Sequence, residues 1–328
     1  MTRFFAFLLL LTGSVAAAWL WEGWHFASPG PWARRGSETV IEIPSGEGLW
    51  RVASRLRNAG VIDNAPLFDI GVRLRRERGM LRAGEYAIPS RASMEDIAAI
   101  LMVGRPIEHK VTAAEGLTSG MIAEIVNADP ELTGPRETPP AEGTLLPETY
   151  FFNKGAARGS IIARMRVAQA DFVSRAWVSR LPGLPFETPE QAVTLASIVE
   201  KETAIPEERR HIAAVFINRL RLGMKLESDP TVIYGISKGY PLGHGILASE
   251  LSRPTPYNTY TIAGLPPTPI CNPGKDAILA VLNPEHSADL YFVADGTGGH
   301  AFAASKSEHD RNVARWRKVE SVSLRLKP

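Results

Sequence analysis

The chain has 328 residues, 45% apolar and 22% charged, enough apolar material for about two packed units and too much for wholesale disorder. Its 37 Lys and Arg stand against 35 Asp and Glu, a formal charge of +2 that excludes nucleic-acid binding driven by bulk electrostatics. The single cysteine, Cys271, excludes an intramolecular disulfide and any cysteine cluster for zinc or iron–sulfur, and its Pro-rich surroundings suit a packed thiol rather than a nucleophile.

Taken in chain order, Phe4 to Trp21 form eighteen residues without charge, rich in Leu, Phe, Ala and Trp. As a helix they would cover about 27 Å against a hydrocarbon layer of roughly 30 Å. Trp19, Trp21 and Trp24 fall where an interfacial aromatic belt would lie. This predicts a transmembrane helix over residues 1–25 that anchors the chain in the lipid bilayer, with a signal peptide cleaved near Ala16-Ala17-Ala18 as the competing reading. Residues 26–37, with two prolines, two glycines and a basic pair, predict a linker.

Folded structure is expected from residue 38. Thr39 to Pro44 alternates as a strand, and Glu47 to Asn58 carries Leu49, Val52, Ala53 and Leu56 at helical spacing before Gly60. A helix from Asn64 to Arg78 bears Arg73, Arg75, Arg76 and Arg78 on a solvated face. A strand from Gly84 to Pro89 is followed by Ser93 and Asp96 in capping-box spacing, opening a helix that ends at Gly104. The result is a small α+β module over 38–105, suited to support or carbohydrate recognition.

Residues 106–320 read as a second, larger domain. Structured loops occupy Lys110 to Gly159, and a long helix follows to Arg180. Thr188-Pro189 has the pattern of an N-cap with proline at the first helical position, opening a helix that runs through Thr203. A further helix from Pro206 to Leu222 turns Ile212, Val215, Phe216 and Leu220 inward. Thr231 to Tyr234 and Leu290 to Ala294 look strand-like, Lys275 to Leu282 helical, and Ser305 to Lys318 forms the last helix before a basic tail over 321–328. The fold class expected is α+β: an N-terminal transmembrane helix, a small α+β subdomain and a mixed α/β-containing larger domain.

Two acidic residues end the otherwise apolar Thr188 helix, Glu200 and Glu202. Two positions apart on a helix they point about 200° from one another, so they cannot act as a facing pair. A partly desolvated carboxyl there would hold its proton toward neutral pH, as a general acid must. Four further stretches carry groups suited to a long polar ligand: Glu115-Gly116, Leu146 to Tyr150 with Glu148 and Thr149, Met224 to Gly235 with Asp229, and Arg253 to Tyr260 with Tyr257, Asn258 and Tyr260. Each also has an ordinary reading as turn or packing, with Asp229 fixing a turn before Pro230 and Asn258 satisfying loop carbonyls. The seven histidines form no His-Glu-Xaa-Xaa-His pair, and neither a Walker loop nor a dinucleotide fingerprint is present.

Several motifs stand in a definite order: Ala-Ser-Ile-Val-Glu-Lys-Glu-Thr (196–203), Val-Phe-Ile-Asn-Arg-Leu (215–220), Ser-Asp-Pro-Thr-Val-Ile-Tyr-Gly (228–235), Pro-Tyr-Asn-Thr-Tyr (256–260), Gly-Leu-Pro-Pro (264–267) and the Tyr291 to His300 segment. From about Glu38 to the last helix the chain resembles the YceG-like family of endolytic murein transglycosylases. The resemblance implies a LysM-like subdomain at 38–105 and a catalytic domain beyond it, in an inner-membrane protein facing the periplasm. It also implies a lytic cleavage of the β-1,4 bond between N-acetylmuramic acid and N-acetylglucosamine in nascent peptidoglycan glycan strands, leaving 1,6-anhydromuramyl ends without a cofactor. Glu202 takes the catalytic position, with Glu200, Glu115, Glu148, Thr149, Asn218, Asp229, Tyr257, Asn258 and Tyr260 binding or supporting, and peptidoglycan synthases are the protein partners it suggests. The alternatives are a non-catalytic, membrane-anchored cell-wall binding or scaffold protein, and a lysozyme-like hydrolase that uses water.

Overall fold

The computed structural model describes residues 2–75 and 81–325; Arg76, Arg78 and Lys327, which the sequence placed on charged faces, lie outside the described residues. Two compact units divide the chain, one of residues 1–110 with 151–156 and the other of residues 111–150 with 157–328.

The first unit begins with helix α1 (Thr2–Ala27) and continues through β1 (Glu38–Ile43), α2 (Leu49–Ala59), α3 (Ala65–Leu74), β2 (Gly84–Pro89) and α4 (Met94–Val103). Strands β1 and β2 pair antiparallel, with Ile41 opposite Tyr86 and Ile43 opposite Gly84. Their alternation puts Ile41, Ile43, Tyr86 and Ile88 into one core with Val52, Leu56, Phe68, Ile97 and Leu101. The ends of the helices follow local chemistry. Gly60 stops α2 in the left-handed conformation, Asn64 caps α3 through Leu67 N, and Ser93 and Asp96 form the capping box of α4.

The structure corrects the reading of the N-terminal segment. Among the described residues no helix is long and apolar enough to cross a membrane. The transmembrane helix is therefore overturned, and with it the bilayer contact and the single-pass inner-membrane placement built on it. The end of α1 serves a different purpose: Phe26 is fully buried in the core of the first unit, and Glu22 pairs with Arg75 at 2.9 Å while the Arg75 guanidinium lies 4.1 Å from the Phe26 ring. Gly71 on α3 makes room for this, since a Cβ there would come within 2.3 Å of Phe26. Residues 30–33, expected as linker, hydrogen-bond to the turn after β2 through Gly30 N to Arg91 O and Ala33 N to Ser90 Oγ.

The chain leaves the first unit in β3 (Glu108–Thr112) and passes through α5 (Ser119–Ala128) and β4 (Thr149–Asn153), which pairs with β3. Then come α6 (Arg158–Val178), α7 (Pro189–Glu202), a single 3₁₀ turn (Pro206–Glu208), α8 (Arg209–Arg221), α9 (Asp229–Ser237), α10 (Ala248–Leu251) and α11 (Lys275–Leu282). An antiparallel hairpin of β5 (Tyr291–Ala294) and β6 (His300–Ala303) and the helix α12 (Lys306–Arg325) complete it. Residues 231–234, read as strand-like, are helical: Asp229 and Pro230 start α9, and the β-branched run packs as a short helix with Thr231 and Val232 buried. At the centre of the second unit lies α7, buried at every position from Ala192 to Val199. A helix apolar on all sides must sit inside a core, and its neighbours are Phe216, Ile270, Ile278 and Val281.

Removing the Phe26 ring tests whether the end of α1 belongs to the first core. Phe26→Ala should cost that unit about 3–5 kcal/mol, read as faster amide exchange in α3 with protection in α7 unchanged. Unchanged α3 exchange would place the end of α1 outside the core.

Candidate active site

The acid sits where the buried helix α7 ends. Thr188 and Gln191 form a capping box at the start of α7, and Thr203 caps its end with its N–H on Val199 O. The rod is thus fixed at both ends, and Glu200 and Glu202 leave it in different directions. The Glu200 carboxylate accepts a 2.9 Å hydrogen bond from Gly274 N, the N-cap of α11, and lies 3.8 Å from Arg209. A carboxylate at a helix N-terminus satisfies a free N–H and complements the dipole. Glu115 approaches the same arginine at 3.7 Å, and a Cβ at Gly274 would collide with it at 1.9 Å. Glu200 and Glu115 therefore join α7 to α11 and the 115–117 segment.

Glu202 turns to α9. Its Oε1 accepts a short hydrogen bond from the Ser228 hydroxyl. Ser228 occupies the N-cap of α9, yet its side chain makes no cap hydrogen bond. A capping hydroxyl contributes about 1 kcal/mol to a helix; here the hydroxyl is given to the acid instead. Its direction is fixed by a buried trio: Ser228 N donates to Thr259 Oγ1 at 2.9 Å, Thr231 Oγ1 donates to Ser228 O at 2.6 Å, and the two threonine hydroxyls lie 2.9 Å apart.

Burial pushes the Glu202 carboxyl up from 4.5 to about 7, and the Asp229 carboxylate adds to the rise. The Ser228 hydroxyl, His300 and Arg219 act the other way, and burial prevails. Asp229 accepts a 2.7 Å hydrogen bond from the Tyr260 hydroxyl. Burial and that bond hold the Tyr260 phenol in its protonated form. Glu202, Ser228, Asp229 and Tyr260 thus form one connected cluster.

The other residues singled out in the sequence fall around this cluster. Asn258 is fully buried; its amide donates to Leu251 O at 2.9 Å and Arg253 O at 2.8 Å, and its Oδ1 accepts from Tyr260 N at 2.9 Å. It builds the loop that presents Tyr260 and has no amide group left for a ligand. The Tyr257 ring packs edge-on to Tyr234 at 4.8 Å with its hydroxyl 2.9 Å from Thr268. Asn218 spans Ser287 O and Asp289 O at 2.8 and 3.1 Å, tying α8 to the approach to β5. Glu148 is exposed and paired with Lys275, and Thr149 shares a hydroxyl contact with Thr112 at 3.0 Å. Neither residue has a contact with the Glu202 cluster.

Sequence reasoning missed Ser228, Thr231, Thr259 and Arg219, although three of the four lie inside the motifs quoted around Asp229 and Asn258. Arg219 is buried and holds the 225–227 turn through Leu226 O at 2.9 Å and the start of β5 through Leu290 O at 2.6 Å. Glu142 was missed as well; half-buried, with its pKa raised by burial, it accepts from Ser119 N at 2.6 Å and from Tyr234 OH at 3.1 Å. A cavity of about 760 Å³ lies away from the acid: Gly143, Val167, Val193 and Pro269 line it at the opposite end of α7. Among the described residues no group of three or more His, Cys, Asp or Glu side chains could hold a metal ion. Cys271 is buried, its thiol on Ser197 O at 3.3 Å and its pKa pushed well up by burial.

The raised Glu202 pKa fixes the sign of a stability effect. In the unfolded chain this carboxyl ionises near 4.5, and in the folded chain near 7. The folded state holds the extra proton between those values, so stability falls as pH rises through that window, by ~3 kcal/mol in all. Glu202→Gln should abolish that fall, leaving the variant more stable than the wild type at pH 8 in urea unfolding; equal pH slopes would contradict the burial argument. Ser228→Ala removes a donor to the carboxylate and should move the Glu202 midpoint above that of the wild type in a carboxyl titration, where an unchanged midpoint would deny the serine its role.

The profile of the YceG-like family matches residues 41–315. An endolytic murein transglycosylase of Streptococcus pneumoniae serotype 2 (strain D39 / NCTC 7466) is 31% identical over 323 residues, covering 84% of this chain and 58% of that protein. This chain therefore spans less than two thirds of the pneumococcal relative. An endolytic murein transglycosylase of Bacillus subtilis (strain 168) is 28% identical over 302 residues, covering 83% of this chain and 82% of that one. The crystal structure of a yceG-like protein from Listeria monocytogenes superposes with a TM-score of 0.52 at 27% identity, covering 84% of this chain and 98% of that chain. The matched span includes both the small α+β module and the Glu202 cluster, and the chain belongs to the YceG-like family.

Proposed function

We propose that this protein is a lytic transglycosylase that cuts peptidoglycan glycan strands internally at the N-acetylmuramyl–N-acetylglucosamine bond and leaves 1,6-anhydromuramyl ends. The observation that carries this reading is a single carboxyl, Glu202, buried until it titrates at about 7 and held by one oriented hydroxyl. A group with that pKa is protonated often enough near neutral pH to act as an acid, and its conjugate base is strong enough to take a proton back.

Two proton transfers then suffice. Protonated Glu202 gives its proton to the glycosidic oxygen as the bond to muramyl C1 breaks with oxocarbenium character. The resulting carboxylate takes the proton of the same sugar's C6 hydroxyl as that oxygen bonds to C1. One C–O bond breaks, one forms, and the acid is regenerated without water. Closure within one ring draws on a high effective concentration, which asks the protein chiefly to orient the sugar and keep water away. Ser228 supports the carboxylate between the two transfers through its charge-assisted hydrogen bond.

Asp229 is the nearest competitor for a second role, since its charge acts on Glu202. Its Oδ1 is occupied by the Tyr260 hydroxyl, which favours a structural part over attack on C1 or activation of water. The comparisons support the substrate class, because the relatives from Streptococcus and Bacillus carry the name of a murein transglycosylase. The α+β module over 38–105 is read as a LysM-like element that holds the glycan. A scaffold role without chemistry is disfavoured by the unfavourable burial of an acid that such a scaffold would not need.

Glu202→Gln should lower strand cleavage by about 10²–10⁴-fold while glycan binding and folding persist. With the wild type the rate should decline above about pH 7, as the proton needed for the first transfer is lost. Full cleavage by Glu202→Gln would refute the assignment.

A further inference from the structure

Among the described residues, three that are not glycine hold a left-handed backbone: Arg91, Glu227 and Lys238. Lys238 ends α9, where that conformation is common, and Arg91 lies in the turn after β2. Glu227 has neither reason. At φ +53° it directly precedes Ser228, whose hydroxyl meets Glu202. A Cβ disfavours this conformation, and glycine is the usual choice for it. The contacts around Glu227 show what the conformation achieves. Its N–H donates to Thr259 O at 3.3 Å, and the next N–H, that of Ser228, donates to Thr259 Oγ1 at 2.9 Å. In an extended chain successive N–H groups point to opposite sides, whereas a left-handed residue turns two of them to the same side. One residue in this conformation therefore lets two consecutive donors converge on Thr259.

Arg219 holds the turn in place. Its Nη1 donates to Lys225 O at 3.2 Å, to Leu226 O at 2.9 Å and to the Glu227 carboxylate at 3.2 Å, and its Nε donates to Leu290 O at 2.6 Å. Lys225 Nζ ties the same turn to Tyr260 O at 2.9 Å. The guanidinium is buried and the Glu227 carboxylate half exposed, and a buried cation needs a counter-charge. A glycine at 227 would suit the backbone and leave that pairing unmade; the glutamate serves both needs. We propose that Glu227, held by Arg219, is a positioning residue for the reaction: its left-handed backbone brings the Ser228 N–H onto Thr259 and thereby aims the Ser228 hydroxyl at Glu202. With residue 227 extended, the Ser228 N–H would swing away from Thr259, and the hydroxyl would be free to cap α9, the ordinary task of a serine at that place. The effect of Glu227 on the acid passes through Ser228.

The catalytic consequence rests on the lyase reading, whereas the placement of Ser228 can be measured without it. Glu227→Val and Glu227→Gly both remove the carboxylate, but only glycine accepts the left-handed backbone freely, so the difference between them reads the conformation alone. In full-length protein labelled with ¹³C at glutamate side chains, Glu227→Val should raise the Glu202 midpoint toward that of Ser228→Ala, and Glu227→Gly should stay nearer the wild type. Adding Ser228→Ala to each should erase the difference. The other groups acting on Glu202, namely Asp229 with its Tyr260 partner, His300 and Arg219, are the same in all these variants. In cleavage assays Glu227→Val should lower kcat by about tenfold with KM little changed, and Glu227→Gly should lose severalfold less. Equal midpoints in Glu227→Val and Glu227→Gly overturn the proposal, as does a difference that survives in the Ser228→Ala background. If Glu227→Val does not fold, Glu227→Ala is compared with Glu227→Gly on the same terms. A midpoint difference in a protein whose wild type makes no anhydromuramyl ends would uphold the positioning role and refute the lyase reading.

Discussion

The structure depends on one costly arrangement, a carboxyl set at the end of a helix with no exposed face. Every position of α7 from Ala192 to Val199 is buried, so the chain cannot place Glu202 without building a core around the helix that leads to it. Burying an ionisable group costs several kcal/mol unless it is neutral or given partners. The chain uses both remedies: the group stays protonated to near neutral pH, and Ser228 donates to it when the proton is gone. The surrounding elements are arranged to keep that balance from tipping either way.

This requirement accounts for features that look unrelated. The serine that opens α9 gives up its capping bond to serve the acid, and two buried threonines from different motifs hold it in place. Asn258, fully buried, spends its amide on three carbonyls of its own loop so that Tyr260 can restrain Asp229. Glu200, two residues from the acid, points to Gly274 and Arg209 and fixes the far side of the same helix end. A helix repeat that separates neighbours two apart by about 200° sends one acidic pair in two directions, Glu202 to the Ser228 hydroxyl and Glu200 to the start of α11.

Local signals in the sequence carried much of this. The Thr188-Pro189 start of α7, the capping box at Ser93, the Gly60 stop and the extent of α11 all follow from short-range chemistry, and each was legible without coordinates. Glu202 stood out because an apolar run ended on it. Ser228 did not, because a serine before Asp-Pro already has an explanation as a helix cap, and only tertiary contact reveals where its hydroxyl goes. The same limit applies to Thr231 and Thr259, 28 residues apart yet in contact. Residues 231–234 misled through β-branched composition, which the Asp229-Pro230 start overrides. The N-terminal run misled in another way: its apolar composition does not reveal that Glu22 and Phe26 at its end are committed to the core of the first unit.

The central claim is that one carboxyl serves both halves of the reaction and that the sugar's own C6 oxygen, not water, closes on C1. Cleavage of glycan strands by the wild-type protein in H₂¹⁸O tests it most directly, with mass spectrometry of the newly formed muramyl ends. The account predicts ends lighter by one water than a reducing sugar and free of ¹⁸O. Reducing ends carrying one ¹⁸O atom at C1 would contradict it.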